Sequence, residues 1–287
     1  MIFGLLGHNG AGKTTTIKML STLLIPTSGT ASVAGYDVVA DERDVRRRLG
    51  VVLGGDRGLY NKLTARDNLI YFGHLYGVPR SELGERADAM LELVELADRW
   101  EDRVEGFSRG MKQRLHLAKA LVHDPPVLFL DEPTIGLDPA AAVRVREIIA
   151  GLASQRTVLL TTHYLHEADA LCDRIAIIDS GRIIVEDTPA GIKRQVGGDR
   201  RHIIDVRGHL NGWTGDLLVH LPGVASAELD HSQEGMTTIT LVASGEDVSV
   251  DAVLKLLVQQ DISVDGVRTA ELTLEDAFLS LTNKAAR

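Results

Sequence analysis

The residues best suited to chemistry form a glycine-rich segment at positions 7–14, with the sequence Gly-His-Asn-Gly-Ala-Gly-Lys-Thr. This segment matches the pattern G-x-x-x-x-G-K-[ST] of a phosphate-binding loop. Glycines let successive backbone N–H groups turn toward a phosphate, and the helix that follows adds its positive N-terminal end. Lys13 would then reach the β- and γ-phosphates of a nucleoside triphosphate, and the Thr14 hydroxyl would bind Mg²⁺. We call residues 7–14 the phosphate loop.

A chance glycine-rich turn is the alternative, and such a match arises in roughly one chain in a hundred of this size. The apolar run at residues 2–6 and the helical character of residues 13–24 favour phosphate binding, because together they predict a strand, a loop and a helix.

Two acidic residues, Asp131 and Glu132, directly follow the apolar run at residues 127–130. A strand that ends in an acid places the carboxylate at the carboxyl edge of the sheet, where ligands of open α/β folds bind. Asp131 could hold Mg²⁺, and Glu132 could polarise an attacking water as a general base. Two acids in this position could also cap a helix. Their combination with the phosphate loop favours the catalytic interpretation.

His163 follows a further apolar strand at residues 158–161, so its ring could reach the γ-phosphate. A lone histidine is more often structural or merely exposed. Residues 107–114, Phe-Ser-Arg-Gly-Met-Lys-Gln-Arg, by themselves predict only a turn that opens a basic helix.

The elements that would position these residues form an α/β pattern. The continuous apolar runs are typical of strands buried on both faces of a parallel sheet. Residues 64–123 are helical in pattern, residues 140–152 predict a crossover helix, and Ser81 is predicted as an N-cap. Residues 175–179 and 182–185 predict a hairpin around Ser180 and Gly181.

A composition change near residues 197–200 predicts a domain boundary, with one domain at residues 1–198 and a second at residues 199–287. The region 200–287 carries 7 Lys/Arg against 13 Asp/Glu. Its predicted strands at 203–206, 237–242 and 262–267, with helical or mixed segments at 217–220 and 250–259, indicate a small α+β domain.

Composition limits the partners and the compartment. The net charge of −9 in 287 residues argues against nucleic-acid binding, which needs a basic face. No apolar run is long enough to span a membrane, and the first residues do not resemble a signal peptide. The single cysteine, Cys172, fits a reducing cytoplasm and is interpreted as a small buried residue.

These motifs, in this order, resemble the ATP-binding cassette (ABC) family over residues 1 to about 190. The phosphate loop resembles the Walker A motif, and Asp131 and Glu132 the Walker B aspartate and catalytic glutamate. Residues 107–111 are similar to the L-S-G-G-Q signature, residues 136–138 to the D-loop, and His163 to the switch histidine. The implied fold is a P-loop cassette with a mostly parallel core sheet and a helical subdomain at about 64–123.

The resemblance also implies the site and its assembly. Two cassettes would pair head to tail around ATP and Mg²⁺, with Ser108 and Gly110 contacting the γ-phosphate in trans and Asp138 crossing the interface. Glu132, His163 and Lys13 would be catalytic, and Thr14 and Asp131 would bind the metal. The nucleotide-binding residues would be Gly7, His8, Asn9, Gly10, Ala11, Gly12, Lys13, Thr14, Thr15, Ser108, Gly110 and Asp138.

The end of the chain narrows the resemblance. Residues 272–279, Leu-Thr-Leu-Glu-Asp-Ala-Phe-Leu, are similar to an S-L-E-D-V-F-L element in ATPase subunits of ABC-2 type exporters, which include daunorubicin-resistance and sodium-extrusion systems. The same segment also predicts an amphipathic helix. This resemblance implies a separately encoded membrane permease, which would hold this chain at the cytoplasmic face of the membrane. The permease would dock between the core and the helical region, near residues 54–60.

Three features depart from the family pattern. Met1 lies six residues before the phosphate loop, so we expect that part of the N-terminal β-subdomain, with its adenine-stacking aromatic, is truncated by a late start assignment. The Q-loop glutamine is missing near Gly55, where Asp56 is a candidate substitute. Arg109 and Met111 replace a glycine and the glutamine of the signature, while Ser108 and Gly110 remain.

Three alternatives stay open. A soluble ABC ATPase of DNA repair or translation is disfavoured because the chain has no sustained heptads, a single phosphate loop and an acidic composition. A GTPase would need an N-K-x-D element, and residues 61–64 lack the acid. A degenerate or regulatory cassette is disfavoured by Glu132 and His163.

Overall fold

The computed structural model describes residues 1–54, 58–195, 200–207, 217–218, 220–221, 223–231, 236–243, 250–260 and 262–285. The chain divides into two compact units, Met1–Glu186 and Asp187–Arg287. Within the described ranges, no helix is both long enough and apolar enough to cross a lipid bilayer.

A six-stranded sheet forms the centre of the first unit. Its strand order is β4-β5-β6-β1-β7-β8, and the pairs from β4 through β7 are parallel. All carboxyl ends of those strands therefore meet at one edge, where the candidate site lies. The strands are β1 Ile2–Leu6, β2 Ser32–Val33, β3 Tyr36–Asp37, β4 Leu49–Val52, β5 Val127–Asp131, β6 Thr157–Thr162, β7 Arg174–Asp179 and β8 Arg182–Asp187.

Helices cover the sheet and build the helical region. Strands β5 and β6 are buried along most of their length, as the continuous apolar runs predicted. Strands β2 and β3 form a separate antiparallel pair. The α-helices of this unit are α1 Lys13–Leu20, α2 Glu42–Arg48, α3 Ala65–Leu75, α4 Leu83–Leu93, α5 Arg109–Leu121, α6 Pro139–Leu152 and α7 Leu165–Leu171, with 3₁₀ turns at Ala97–Arg99 and Val104–Gly106.

The second unit contains a four-stranded antiparallel sheet in the order β10-β11-β9-β12. This order, with a helix between β11 and β12 and helical residues at 217–218 between β9 and β10, is that of a split βαβ fold. Its elements are helix Pro189–Gln195, β9 Arg200–Arg207, β10 Val224–His231, β11 Met236–Ala243, helix Val250–Gln259, β12 Val264–Glu271 and helix Leu274–Ala285.

Some sequence expectations differ from this architecture. Ser81 is not a helix cap, because α4 begins at Leu83 after Glu82 and without a side-chain cap bond. No strand was predicted where β10 lies, because its sequence does not form a continuous apolar run. Helix Pro189–Gln195 belongs to the second unit, where it packs against helix Leu274–Ala285. The domain boundary at residue 198 stays a prediction.

Candidate functional site

The phosphate loop joins β1 to α1 and is shaped by two glycines with left-handed backbones. Gly10 has φ 88° and Gly12 has φ 109°, values that side-chain-bearing residues rarely adopt. Lys13 is 5% exposed, and its Nζ donates hydrogen bonds to the carbonyl oxygens of Gly7 at 2.6 Å and His8 at 3.2 Å. The lysine is therefore held inside the loop that sequence analysis expected to bind phosphates.

The other loop residues take different places. Ala11 is buried, the carbonyl oxygen of Asn9 accepts a hydrogen bond from the His8 ring at 2.7 Å, and Thr15 lies exposed on α1. Gly7 packs so closely against the backbone of Ile178 that a side chain would collide with it. Packing thus requires a glycine at the first position of the motif.

Asp131, at the end of β5, is buried and accepts two hydrogen bonds from threonines. The Thr14 hydroxyl donates to Oδ2 at 3.0 Å, and the Thr161 hydroxyl donates to Oδ1 at 2.5 Å. Thr161 is opposite Asp131 in the parallel register of β5 and β6. Both carboxylate oxygens are thereby fixed, Oδ2 by the phosphate loop and Oδ1 by the neighbouring strand.

Glu132 has an unusual backbone, with φ 50° in the left-handed region. A non-glycine residue in this region is strained and persists where surrounding contacts hold it. Its N–H donates to the carbonyl oxygen of Thr161 at 3.0 Å and to the Thr161 hydroxyl at 3.1 Å. The turn therefore aims the Glu132 side chain away from the strand and toward the loop.

The Glu132 carboxylate lies between two predicted site residues. Oε1 is 3.8 Å from Lys13 Nζ, and Oε2 is 3.0 Å from His163 Nδ1. The His163 contact lacks the alignment of a hydrogen bond, and its ring packs 4.1 Å from the Tyr164 ring. The structure thus brings together Lys13, Thr14, Asp131, Glu132 and His163 at one edge of the sheet.

A cleft of about 460 Å³ opens at this point, lined by Thr14, Lys18, Leu53, Gly54, Asp131, Glu132 and Ile135. Thr14 Oγ1 and Asp131 Oδ2 are hard oxygen donors 3.0 Å apart. Neighbouring ligands of an octahedral Mg²⁺ with bonds of about 2.1 Å lie about 3 Å apart. These two side chains therefore fit a Mg²⁺ ion.

A tether that sequence analysis missed links the phosphate loop to the turn between β7 and β8. His8 Nε2 lies 2.6 Å from Asp179 Oδ1, and the Gly181 N–H donates to the Ala11 carbonyl oxygen at 2.9 Å. The hydrogen bond to the Asn9 carbonyl, followed by the one to Asp179, raises the pKa of His8. Bonding to His8 lowers the pKa of Asp179.

These shifts predict a pH-dependent tether. At pH values between the lowered pKa of Asp179 and the raised pKa of His8, both side chains are charged. The ion pair weakens as the pH rises through the pKa of His8. Among the described residues, Lys13 and Ser180 also face the pair. Since both side chains are partly exposed, we expect Asp179→Asn to lower the melting temperature by on the order of 1 °C at pH 6 and by less at pH 8.5. Melting curves of both proteins at the two pH values measure this; a difference that does not change with pH would contradict it.

The signature residues lie at the start of α5. The Ser108 hydroxyl accepts a hydrogen bond from the Met111 N–H at 3.2 Å, so Ser108 is the N-cap of this helix. Gly110 is buried, and a Cβ there would lie 2.7 Å from Ala141 Cβ on α6. The exposed Arg109 side chain covers Gly136, which itself has φ 67°.

Asp138 caps α6, since its Oδ1 accepts from the Ala141 N–H at 2.9 Å. Within the described part of the chain, no hydrogen bond or ion pair joins Asp138, Ser108 or Gly110 to the phosphate loop. The starts of α5 and α6 pack together and form one surface of the same unit as the phosphate loop. Gly55 and Asp56, where the Q-loop expectation falls, lie outside the described residues.

Comparison with known proteins agrees with this geometry. The family model described as "ABC transporter" matches residues 1–135. The daunorubicin resistance ATP-binding protein DrrA3 of Streptomyces coeruleorubidus is 39% identical over 287 residues, which are 100% of this chain and 88% of that protein. The chain belongs to the ABC transporter family. Membership of this family gives the chain an ABC fold and the function of an ATP-binding subunit. ABC ATP-binding proteins are ATPases coupled to transport.

Other relatives place the chain in the same family. The linearmycin resistance ATP-binding protein LnrL of Bacillus subtilis (strain 168) is 36% identical over 288 residues, 99% of this chain and 90% of that protein. A solved "ATP binding subunit of ABC transporter" is 33% identical with a TM-score of 0.60, covering 68% of this chain and 81% of that one.

A second family model, an AAA domain described with a putative AbiEii toxin of a type IV toxin–antitoxin system, matches residues 103–168.

Proposed function

We propose that this ABC protein is the Mg²⁺-dependent ATPase subunit of a two-component exporter of the ABC-2 type, which powers a separately encoded membrane permease. The observation that carries the proposal is the position of Glu132, whose carboxylate lies 3.8 Å from the buried Lys13 ammonium at the cleft lined by Thr14 and Asp131. A general base beside the phosphate-binding lysine supports hydrolysis as well as binding.

Each site residue has its own role in the proposed hydrolysis of ATP. Lys13 and the loop N–H groups would hold the β- and γ-phosphates, and Thr14 and Asp131 would hold Mg²⁺, which would neutralise phosphate charge when bound. Glu132 accepts a proton from the water that attacks the γ-phosphorus. The bond between this phosphorus and the bridging oxygen breaks, and ADP leaves. His163 lies beside Glu132, from where it can contact the γ-phosphate.

We propose that the site closes in a head-to-tail homodimer. Ser108, Arg109 and Asp138 are exposed or partly exposed at the starts of α5 and α6. Helix N-termini favour anionic groups, so this surface suits the γ-phosphate of a second copy. The close packing of Gly110 on Ala141 holds the two helix starts together.

A groove on the first unit supports docking of a permease segment between the core and the helical region. Its cavity is about 430 Å³ and is lined by Ser21, Leu23, Arg46, Leu49, Val51, Val52, Leu53, Gly54, Tyr76, His116 and Lys119. Leu23 and Tyr76 are exposed, at 58% and 39%, and present apolar surface at its rim. Such docking would hold the protein at the cytoplasmic face of the membrane.

The names of the relatives give the substrate class to test first. Daunorubicin and linearmycin resistance proteins are similar along nearly the whole chain, which supports export of a hydrophobic drug-like compound. Nothing in the site residues selects among such compounds, because the site contacts ATP rather than cargo.

The experiment co-expresses the full chain with the membrane protein encoded beside it and measures ATP hydrolysis and daunorubicin efflux in inverted vesicles. We expect hydrolysis that stops when EDTA removes Mg²⁺, and ATP-dependent uptake of drug into the vesicles. Hydrolysis without transport of daunorubicin or linearmycin would overturn the drug-export assignment. No Mg²⁺-dependent hydrolysis in the presence of the permease would overturn the ATPase assignment.

A further inference from the structure

A second buried carboxylate lies behind the site and takes no part in the roles described so far. Glu167, on α7, is 3% exposed. A carboxylate this deep in a protein is costly unless its oxygens are paired and hydrogen-bonded. Its partners therefore indicate what the group does.

Those partners come from three elements that surround the site. The Thr134 hydroxyl donates to Oε2 at 2.8 Å, the Thr162 hydroxyl approaches the same oxygen at 3.4 Å, and the Arg146 guanidinium donates to Oε1 at 2.7 Å. Thr134 and Thr162 are themselves buried, at 5% and 1% exposure. One carboxylate thus fastens the turn after β5, the end of β6 and helix α6.

Each fastened element carries a predicted site residue. Thr134 is two residues after Glu132, in a turn closed by hydrogen bonds from Ile135 to Glu132 and from Leu137 to Thr134. Thr162 directly precedes His163, and its hydroxyl accepts the Tyr164 N–H at 2.9 Å. Arg146 lies two turns along the helix that Asp138 caps.

The backbone strain at Glu132 makes the bonds of Glu167 important for the site. A left-handed glutamate keeps its backbone only if neighbouring contacts hold the turn, and Thr134 is the turn's buried side-chain anchor. We propose that Glu167 is a positioning residue, which fixes the Glu132 carboxylate and the His163 ring relative to each other for attack by water. The proposal rests on the proposed ATPase function and deepens it.

Positioning by Glu167 predicts a loss of rate without a loss of nucleotide binding. Glu167 contacts none of the phosphate-loop residues in the described hydrogen bonds, whereas it fixes both sides of the Glu132–His163 pair. We expect Glu167→Gln, which keeps the shape but loses the charge that pairs with Arg146, to lower kcat by about 10- to 100-fold, with KM for ATP within twofold of the parent.

Thr134→Val tests the same link without touching the carboxylate. Valine keeps the shape of threonine and removes the hydroxyl, so we expect a smaller loss of kcat. Glu167→Gln also weakens the bond that the Thr134 hydroxyl donates, since an amide oxygen is a weaker acceptor than a carboxylate, so the two losses should overlap and the double variant should be about as slow as Glu167→Gln alone. Losses that multiply would show independent effects and overturn the proposal. Thr134→Val also carries the test if Glu167→Gln does not fold.

Asp124→Asn is the matched control. Asp124 forms an ion pair with Arg156 at 2.6 Å in the same unit, and it contacts none of the Glu167 partners in the described bonds. We expect it to lower thermal stability and to leave kcat of the folded protein within twofold. If Glu167→Gln behaves in the same way, with lower stability and unchanged kcat, Glu167 is only structural and the proposal is wrong.

Amide hydrogen exchange of the full chain separates this proposal from the ATPase assignment. Glu167→Gln should speed exchange in residues 132–138 and 162–166, and should leave residues 7–14 unchanged. If the parent hydrolyses no ATP, the proposed function fails, while this local exchange pattern still decides the positioning role. Exchange that rises evenly over the unit, or does not rise in these two segments, would overturn it.

Discussion

Glu132→Gln is expected to lower ATP hydrolysis by at least about 100-fold while ATP binding persists. The amide has the size of the carboxylate but cannot accept the proton of the attacking water. Gln also keeps a side chain at the left-handed position, so the strained turn at φ 50° changes little. The neighbouring Lys13, with its bonds to the phosphate loop, stays intact.

Two measurements check this result. Phosphate release at saturating MgATP gives the rate, and fluorescent ATP titration gives the affinity. Size-exclusion chromatography with MgATP should show that the variant accumulates as a dimer, because the closed state no longer hydrolyses its nucleotide. Glu147→Gln, an exposed glutamate on α6, is the matched control and should behave as the parent. A rate for Glu132→Gln equal to that of the parent would make the general-base assignment wrong.

Lys13→Ala is expected to have the second large effect, a loss of ATP affinity of about 100-fold. Lys13 is buried, so water screens its ammonium charge little. Its electrostatic attraction to a bound phosphate is therefore strong. Its removal also leaves the carbonyl oxygens of Gly7 and His8 without the donor that now closes the loop. Truncating a buried charged partner typically costs 2–5 kcal/mol of binding free energy, which corresponds to roughly 30- to 5,000-fold.

Isothermal titration with a non-hydrolysable ATP analogue measures the affinity directly. Lys255→Ala removes an exposed lysine of the second unit, which pairs with Asp251 along its own helix, and should leave the affinity unchanged. Circular dichroism of both variants shows whether the fold is kept. A folded Lys13→Ala protein that binds the analogue as tightly as the parent would remove Lys13 from the phosphate site.

The sequence predicted which side chains meet at the sheet edge because that information is local. A glycine loop between a strand and a helix, an acidic pair after an apolar run, and a histidine after another run each depend on a few consecutive residues. Parallel strands place their carboxyl ends at one edge, so these segments had to meet. The contacts among Lys13, Thr14, Asp131, Glu132 and His163 follow this expectation.

Elements without a continuous pattern were harder to predict. The apolar–polar alternation of strand β10 is weak because two of its apolar residues are alanines, and Ser81 satisfied a capping rule in a segment whose helix begins two residues later. Helix Pro189–Gln195 is assigned to the second unit by its packing on helix Leu274–Ala285, at a separation of about eighty residues that no local pattern reports.

By itself the sequence indicated that residues 7–14 bind a triphosphate and that Glu132 is the base for an attacking water, and these roles stay predictions. Only the tertiary structure decided how that base is held. Thr161 fixes Asp131 and the Glu132 amide, Asp179 tethers the phosphate loop, and Glu167 joins three elements behind the site. Threonine, aspartate and glutamate at isolated positions carry no local signal. Their roles arise because folding brings distant groups within hydrogen-bond distance, such as Asp131 and Thr161, which are 30 residues apart, and His8 and Asp179, which are 171 residues apart.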